Sequence, residues 1–144
     1  MIKQLSIFIE NRPGRLSSVT QILDDKNINI RAFTIQDRGD YGLMKLIVDK
    51  PDDARLVLAD RGYACALKDV IAVSVPDKPG NLNKLTTIMH DNNVNIADVF
   101  GFVIRPDNIG ICCMEIHDSI SEEAIAQMEA QGFTFLDTSD LSDL

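Results

Sequence analysis

The sequence of 144 residues lacks any apolar segment long enough to span a membrane as a helix, which needs about 20 mostly apolar residues in a row. The apolar residues near the N-terminus alternate with polar ones and end at Glu10, so we expect no signal peptide. With 45% hydrophobic and 25% charged residues, the composition is that of an ordinary globular protein. We therefore predict a soluble protein without a membrane partner.

Basic residues are too few and too scattered to form a surface for nucleic acid. The chain has 14 Lys and Arg residues against 22 Asp and Glu residues, which gives a formal net charge of −8. Binding to nucleic acid depends on Lys and Arg side chains that neutralise phosphates. The sequence therefore predicts no nucleic-acid partner.

Cysteine is scarce, with Cys65, Cys112 and Cys113 as the three residues of this type. A disulfide framework normally uses an even number of cysteines, and the last two are neighbours in sequence. Neighbouring residues of a strand point to opposite faces, so Cys112 and Cys113 are also poorly placed to bind one metal ion. Reduced thiols of this kind are typical of a reducing compartment, and we predict a cytoplasmic protein.

Motifs of catalysis are also missing from the sequence. It contains no G-x-S-x-G, no Walker-type loop and no G-x-G-x-x-G. His90 and His117 have no Cys or carboxylate at the spacing of a metal site. The acidic pair Glu122 and Glu123 is more simply explained as the first turn of a helix than as a general acid and base. We predict that the protein is not an enzyme and needs no cofactor and no metal ion.

A sequence pattern occurs twice, once from Asn11 to Ile30 and again from Asp77 to Ile96. The two copies align without a gap, and nine of their twenty positions are identical. The identical pairs are Pro13/Pro79, Gly14/Gly80, Leu16/Leu82, Thr20/Thr86, Ile22/Ile88, Asp25/Asp91, Asn27/Asn93, Asn29/Asn95 and Ile30/Ile96. Such agreement indicates an internal duplication. We predict one module over residues 1–68, a second over residues 69–137 and an acidic C-terminal tail over residues 138–144.

Each half predicts the order β-α-β-β-α-β. In the first half a strand carries Leu5, Ile7 and Ile9 on one face, a Pro-Gly turn ends it, and a helix follows. We expect the first half to end in a short strand, Tyr63 to Leu67, and the second half to begin with another, Val70 to Val75. The inward residues of the two first helices are predicted to be Leu16, Val19, Ile22 and Leu23, and Leu82, Leu85, Ile88 and Met89. The fold class is therefore α+β, with two ferredoxin-like modules whose helices cover one face of an antiparallel sheet.

The motif N-R-P-G-R-L followed by K-N-I-N-I, repeated as D-K-P-G-N-L and N-N-V-N-I, resembles the ACT domain, a small regulatory module of amino-acid metabolism. The resemblance covers nearly the whole chain, from about Lys3 to Leu136. It implies a ferredoxin-like fold, pairing of modules side by side, and small-molecule binding, most often of an amino acid, at the seam between paired modules. Under this resemblance the candidate ligand-binding residues are Asn11, Arg12, Pro13, Gly14, Arg15, Leu16, Asn29 and Ile30 in the first half, and Asp77, Lys78, Pro79, Gly80, Asn81, Leu82, Asn95, Ile96 and Asp98 in the second.

The residue types suit an amino acid as the ligand. Asn11 offers hydrogen-bond donors and an acceptor, Gly14 allows close approach to the backbone, and the helix N-terminus after it favours a carboxylate. Asn29 can accept a hydrogen bond from the ligand's ammonium group. In the serine-sensing members of the family, the asparagines matching Asn11 and Asn29 contact the ligand, but Ile9 stands where those members have a polar residue. The simpler alternative is that Pro-Gly forms only a turn and that each asparagine only caps a helix.

The second half differs from the first by two carboxylates near the expected pocket. Asp77 and Asp98 replace Asn11 and Ala32. Carboxylates there attract a cationic group and repel an anionic one, so the second pocket is predicted to favour an amino acid with a polar or cationic side chain. The alternative, equally open, is that Asp77 caps the helix that follows it.

Two functions agree with these observations. The first is an amino-acid sensor that signals through altered association with an enzyme or another regulator. The second is a protein-interaction regulator that uses the same fold without a small ligand. We also expect a homodimer, because small modules of this type leave edge strands with unpaired backbone groups.

Overall fold

The computed structural model of the chain describes residues 1–142, and residues 143 and 144 lie outside the described part. The chain divides into two compact units. The first, called here the N-terminal module, is Lys3–Asp69. The second, called the C-terminal module, consists of the described residues from Val70 onward together with Met1–Ile2.

The N-terminal module has the predicted β-α-β-β-α-β order. Its elements are β1 (Ile2–Glu10), α1 (Arg15–Asp25), β2 (Ile30–Asp37), β3 (Tyr41–Val48), α2 (Pro51–Asp60) and the first part of β4 (Ala64–Pro76). The strands lie in the order β2-β3-β1-β4, with β3 antiparallel to both β1 and β2. Leu5, Ile7 and Ile9 of β1 are buried with Val19, Ile22 and Leu23 of α1, so the predicted inward faces of both elements are confirmed at these positions.

The C-terminal module repeats the same order. It uses the second part of β4, then α3 (Asn81–Asp91), β5 (Ile96–Arg105), β6 (Ile109–Ile116), α4 (Glu122–Ala130), β7 (Thr134–Leu136) and α5 (Thr138–Ser142). Its strands lie in the order β5-β6-β4-β7, and all three pairings are antiparallel. Leu85 and Met89 of α3 pack in its core with Met128 and Phe133. The predicted fold class, two ferredoxin-like α+β modules, is confirmed.

The predicted break between the fourth and fifth strands is wrong. Instead of two strands separated by Lys68 and Asp69, one strand of 13 residues runs from Ala64 to Pro76. A strand uses backbone hydrogen bonds, and only proline removes a backbone donor, so a polar Lys-Asp pair does not interrupt it. The strand ends at Pro76, just before the second Pro-Gly turn.

The interpretation of residues 138–144 as a tail is also wrong for its described part. Residues Thr138–Ser142 form the short helix α5, and Leu141 is buried. Asp137 holds the start of this helix, because its Oδ1 atom accepts hydrogen bonds from the backbone amides of Ser139 at 2.8 Å and Asp140 at 3.1 Å. These hydrogen bonds lower the pKa of Asp137. The rest of the predicted tail, residues 143 and 144, lies outside the described residues.

Candidate functional site

Both Pro-Gly turns lead into a helix through a glycine in the left-handed region. Gly14 has φ 87° and is the N-cap of α1, and Gly80 has φ 90° and is the N-cap of α3. Within residues 1–142, no side chain caps either helix. The first amide of each helix donates to a turn carbonyl, from Arg15 to Arg12 and from Asn81 to Lys78, and the next two amides are available to an anionic group such as a carboxylate.

A groove lies beside the second Pro-Gly turn, entirely within the C-terminal module. It encloses a cavity of about 330 Å³ between the start of α3 and the strands β5 and β6. We call it the C-terminal groove, and it is lined by Val75, Pro76, Asp77, Lys78, Leu82, Val99, Phe100, Gly101, Phe102, Val103, Gly110, Ile111 and Cys112. Its volume is at the lower end of the range of about 300–1,000 Å³ that is usual for small-molecule sites.

The wall and floor of the C-terminal groove are apolar. Leu82, Val99 and Val103 are 58%, 51% and 53% exposed, which is high for large aliphatic side chains. Gly101 lies between the two valines and pairs with Cys112 of β6, so the strand offers no side chain at the centre of the groove. Exposed aliphatic side chains around an open floor are typical of a site that binds an apolar group.

The N-terminal module has a smaller cavity at a different place along its first helix. This N-terminal groove, about 280 Å³, is lined by Leu16, Thr20, Ile30, Arg31, Phe33 and Met44. In the alignment of the two halves, Ile35 stands where the C-terminal module has Gly101, and Met44 stands where it has Cys112. Ile35 and Met44 are larger than Gly101 and Cys112. The residues of the first Pro-Gly turn do not line the N-terminal groove.

The polar residues of the first turn are engaged within their own module. The Nδ2 atom of Asn11 donates to Asp37 Oδ1 and to the carbonyl oxygen of Gly39, both at 3.1 Å. Arg12 Nε lies 2.8 Å from Glu10 Oε2, and Arg15 Nη2 lies 3.0 Å from Glu10 Oε1. The contact with Glu10 raises the pKa of Arg15. These contacts hold the first turn and its hairpin together.

Arg15 also belongs to a separate cavity. It lines a space of about 290 Å³ on the N-terminal module together with Ser18, Arg61 and Tyr63, and none of these residues lines the N-terminal groove. The hydroxyl of Tyr63 donates to Ser18 Oγ at 2.8 Å. Arg15 is therefore not brought together with the groove-lining members of the predicted site.

The predicted asparagine pairs lie apart within each module. α1 and α3 each have 11 residues, a length of about 16 Å. Asn11 precedes α1 and Asn29 follows it, and Asn95 likewise follows α3 while Asp77 precedes it. Asn29 is exposed, and its amide donates to Asp49 Oδ1 at 2.9 Å. In each module the two predicted polar contacts therefore flank opposite ends of the first helix.

The two carboxylates of the predicted second pocket lie in different places. Asp77 lines the C-terminal groove, but its Oδ2 atom accepts a hydrogen bond from the amide of Asp107 at 2.9 Å, and it does not cap α3. Asp98 pairs with Glu115 of β6, whereas Val99 pairs with Met114, which belongs to the core under the helices. Cross-strand partners share a face, so Asp98 lies on the face away from the groove.

The other predicted site residues are divided among the grooves, the turns and the core. Lys78 lines the C-terminal groove and is exposed, whereas Asn81 donates through Nδ2 to the carbonyl oxygen of Pro76 at 2.9 Å. Pro13 and Pro79 are exposed turn residues. Ile96 packs against the core, while Ile30 packs against the core and also lines the N-terminal groove.

Two residues predicted to be buried line the grooves instead. Leu16 is 39% exposed and Leu82 is 58% exposed. Each is the second residue of its helix, beside the turn. Sequence analysis also missed Val99, Gly101, Val103 and Cys112 as groove residues. The signal was present in the alignment of the halves, where the larger residues Phe33, Ile35 and Met44 stand opposite Val99, Gly101 and Cys112.

The thiols offer no reactive group. Burial raises the pKa of Cys65 and Cys112, and burial with the neighbouring Cys112 raises the pKa of Cys113 from 9.0 to about 12.

Within residues 1–142, no cluster of three or more His, Cys, Asp or Glu side chains is placed to hold a metal ion. The same residues include no helix with both the length and the apolar character needed to cross a bilayer.

The raised pKa of Cys113 predicts a loss of stability in alkaline solution. The unfolded chain releases the thiol proton near pH 9, whereas the folded chain keeps it until about pH 12. The folded state therefore binds more protons in this window, and the free energy of unfolding falls as the pH rises through it. Urea unfolding at pH 8 and pH 10 measures the effect, and Cys113→Ala should make the decrease smaller. An equal decrease in both proteins would contradict the prediction.

Comparisons with known proteins agree with the fold. A model of the family described as ACT domain pair matches residues 1–144. The chain is similar to the crystal structure of protein BT0572 from Bacteroides thetaiotaomicron, with 33% identity over 99% of this chain and 96% of that chain, and a TM-score of 0.87. No curated protein matches the sequence.

More distant structures share the architecture. The ligand-free regulatory subunit of aspartate kinase from Thermus thermophilus is 20% identical over 90% of each chain, with a TM-score of 0.65. The corresponding subunit from Thermus flavus is 19% identical over 89% of this chain and 88% of that chain, with a TM-score of 0.62. At these identities the likeness concerns the fold. The match over the whole sequence shows that the chain belongs to the ACT domain pair family.

Proposed function

We propose that this protein is a non-enzymatic regulator that binds a free amino acid in the C-terminal groove. The observation that carries the proposal is the arrangement of the second Pro-Gly turn, where the uncapped N-terminus of α3 stands beside an apolar cavity of about 330 Å³. A free amino acid can use both features. Its α-carboxylate and α-ammonium groups are charged, whereas its side chain is usually not.

Charges at the mouth of the groove match the ends of an amino acid. Lys78 is exposed, and among the described residues it takes part in no ion pair, so its ammonium group can meet the ligand's carboxylate. Asp77 uses Oδ2 for the amide of Asp107, and its Oδ1 atom can accept a hydrogen bond from the ligand's ammonium group. One cation and one anion side by side complement a zwitterion.

The regulatory step would be a change in association with an enzyme or another regulator. β2 and β5 each lie at an edge of the strand order of their module. Edge strands carry unpaired backbone groups, which supports the homodimer that the sequence predicts, and the homodimer stays a prediction. A ligand in the C-terminal groove lies against β5 and would alter the surface that this strand offers to a partner.

Calorimetric titration with the twenty amino acids tests the proposal. We expect at least one to bind with a Kd of millimolar or below. Val99→Phe should weaken that binding about tenfold or more, because a ring replaces an isopropyl group at the groove wall. The matched control is the reciprocal change Phe33→Val at the equivalent exposed position of the N-terminal module, which should leave the affinity unchanged.

Two results would contradict this function. If no amino acid binds at millimolar concentration, the alternative of a ligand-independent protein-interaction regulator is favoured. If Phe33→Val weakens binding and Val99→Phe does not, the site lies in the N-terminal module. Circular dichroism of both variants verifies that the fold is intact.

A further inference from the structure

We infer that the ligand is an amino acid with an aliphatic side chain, and that each chain binds one molecule of it, in the C-terminal groove only. The inference rests on the proposed function and goes beyond it by naming the ligand class and the stoichiometry. It replaces the polar or cationic ligand that the sequence predicts.

The lining of the C-terminal groove favours an aliphatic side chain. Leu82, Val99 and Val103 are apolar and exposed, and Gly101 leaves the space between the valines open. Burying an apolar side chain contributes roughly 25 cal/mol per Å² of surface removed from water. An aliphatic ligand would gain this contribution and would also cover the three exposed side chains of the protein.

A charged ligand side chain would find no ion-pair partner among the apolar residues that line the C-terminal groove. Asp77 and Lys78 are the two charged residues that line the groove, and both lie at its turn end. The ligand's own ammonium and carboxylate groups occupy them. Asp98, one of the two carboxylates on which the prediction of a polar or cationic ligand depended, lies on the other face of β5. A cation placed against Leu82 and Val99 would lose hydration without gaining an ion pair, which is unfavourable.

The N-terminal module has neither the unpaired charges of the second turn nor the open floor of the C-terminal groove. Asn11, which replaces Asp77, donates to Asp37 and Gly39, and Arg12, which replaces Lys78, is paired with Glu10. The difference in pairing has a sequence cause, because the residue equivalent to Glu10 is Pro76, which carries no charge. Ile35 also stands at the position of Gly101, so a side chain is present where the C-terminal groove has an open floor.

The experiment compares affinities and stoichiometry in one calorimetric series. Leucine, isoleucine, valine and methionine are titrated beside alanine, serine, lysine, arginine, histidine and glutamate. We expect the tightest ligand among the first four, bound about tenfold or more tightly than alanine because of the added methylene groups. The expected stoichiometry is one molecule per chain.

Variants locate the side-chain pocket. Gly101→Ile, which introduces the residue of the N-terminal module, should weaken the binding of the best ligand about tenfold or more. A Cβ atom at position 101 lies 3.2 Å from the carbonyl oxygen of Ile111, so Cys112→Met serves as a second filling variant that starts from an existing Cβ. The matched control is Ile35→Gly, which should leave the affinity unchanged because the first turn still lacks free charges.

The outcomes separate this inference from the proposed function. Tighter binding of lysine, arginine, histidine, serine or glutamate would overturn the inference and leave the amino-acid sensor in place. Two molecules per chain, or unchanged affinity in folded Gly101→Ile and Cys112→Met, would also overturn it. If no amino acid binds, the proposed function itself fails, and the inference fails with it.

Discussion

Replacing Leu85 by alanine is expected to lower the free energy of unfolding by about 2–5 kcal/mol, because the change removes buried methyl groups and leaves a cavity. Leu85 has no exposed surface and packs in the core of the C-terminal module with Met89, Met128 and Phe133. Urea denaturation at neutral pH, followed by circular dichroism, measures the loss. The value applies if unfolding remains a single cooperative transition.

The matched control is Leu82→Ala, three residues earlier on the same helix. Leu82 is 58% exposed, so its truncation should change stability by only about 0.5 kcal/mol or less. The same truncation should weaken binding of the best amino acid, because Leu82 lines the C-terminal groove. Equal losses of stability in the two variants would contradict the assignment of Leu85 to the core and Leu82 to the groove.

Replacing Gly80 by valine is expected to lower the free energy of unfolding by about 1–3 kcal/mol. Gly80 has φ 90°, a conformation that β-branched residues disfavour strongly, while an added Cβ atom would meet no atom within 4 Å. The loss therefore comes from the backbone conformation and not from a steric clash with neighbours.

Gly80→Asn separates these two causes. Asparagine tolerates the left-handed region, as Asn27 at φ 51° and Asn93 at φ 54° do in this chain. The asparagine variant should thus lose clearly less stability than the valine variant in the same urea titration. If both lose the same amount, the positive φ of Gly80 does not explain the cost.

The fold could be predicted from local patterns because its main features are local. A duplicated sequence of about 20 residues defines the turn, the first helix and the entry into the next strand in both halves. Proline at positions 13 and 79 and glycine at positions 14 and 80 interrupt the strands, and the structure has turns there. The junction at Lys68 and Asp69 could not be predicted, because polar residues are compatible with both a turn and an exposed strand.

The face of Asp98 could not be predicted from alternation. The pairing of β5 with β6 shifts in register between Ile96 and Asp98. Regular alternation from Ile96 would place Asp98 on the face of the helices, whereas the bulge moves it to the opposite face. The N-terminal module has the same irregularity between Ile30 and Ala32. Sequence reasoning identifies bulges poorly, and here one bulge moves one of the two carboxylates behind the prediction of a cationic ligand away from the groove.

The groove could not be predicted from helical periodicity alone. Leu16 and Leu82 follow the same spacing as the buried residues of their helices, and periodicity cannot show that the sheet offers no opposing side chain beside the turn. For Leu82 the missing side chain is that of Gly101, which lies far away in the sequence. Only the three-dimensional structure, in which both residues line the C-terminal groove, relates them.

The contrast between Ile35 and Gly101 has a consequence for how the two copies have diverged under selection. Glycine inside a strand is unfavourable by about 0.5–1 kcal/mol relative to alanine, so folding alone favours its replacement. The aliphatic Ile35 of the N-terminal module does not carry this cost. If the proposed ligand requires the open floor, position 101 should stay small among relatives that bind it, while position 35 drifts among β-branched residues. Loss of the small residue at position 101 would then mark lineages in which the groove has lost its role.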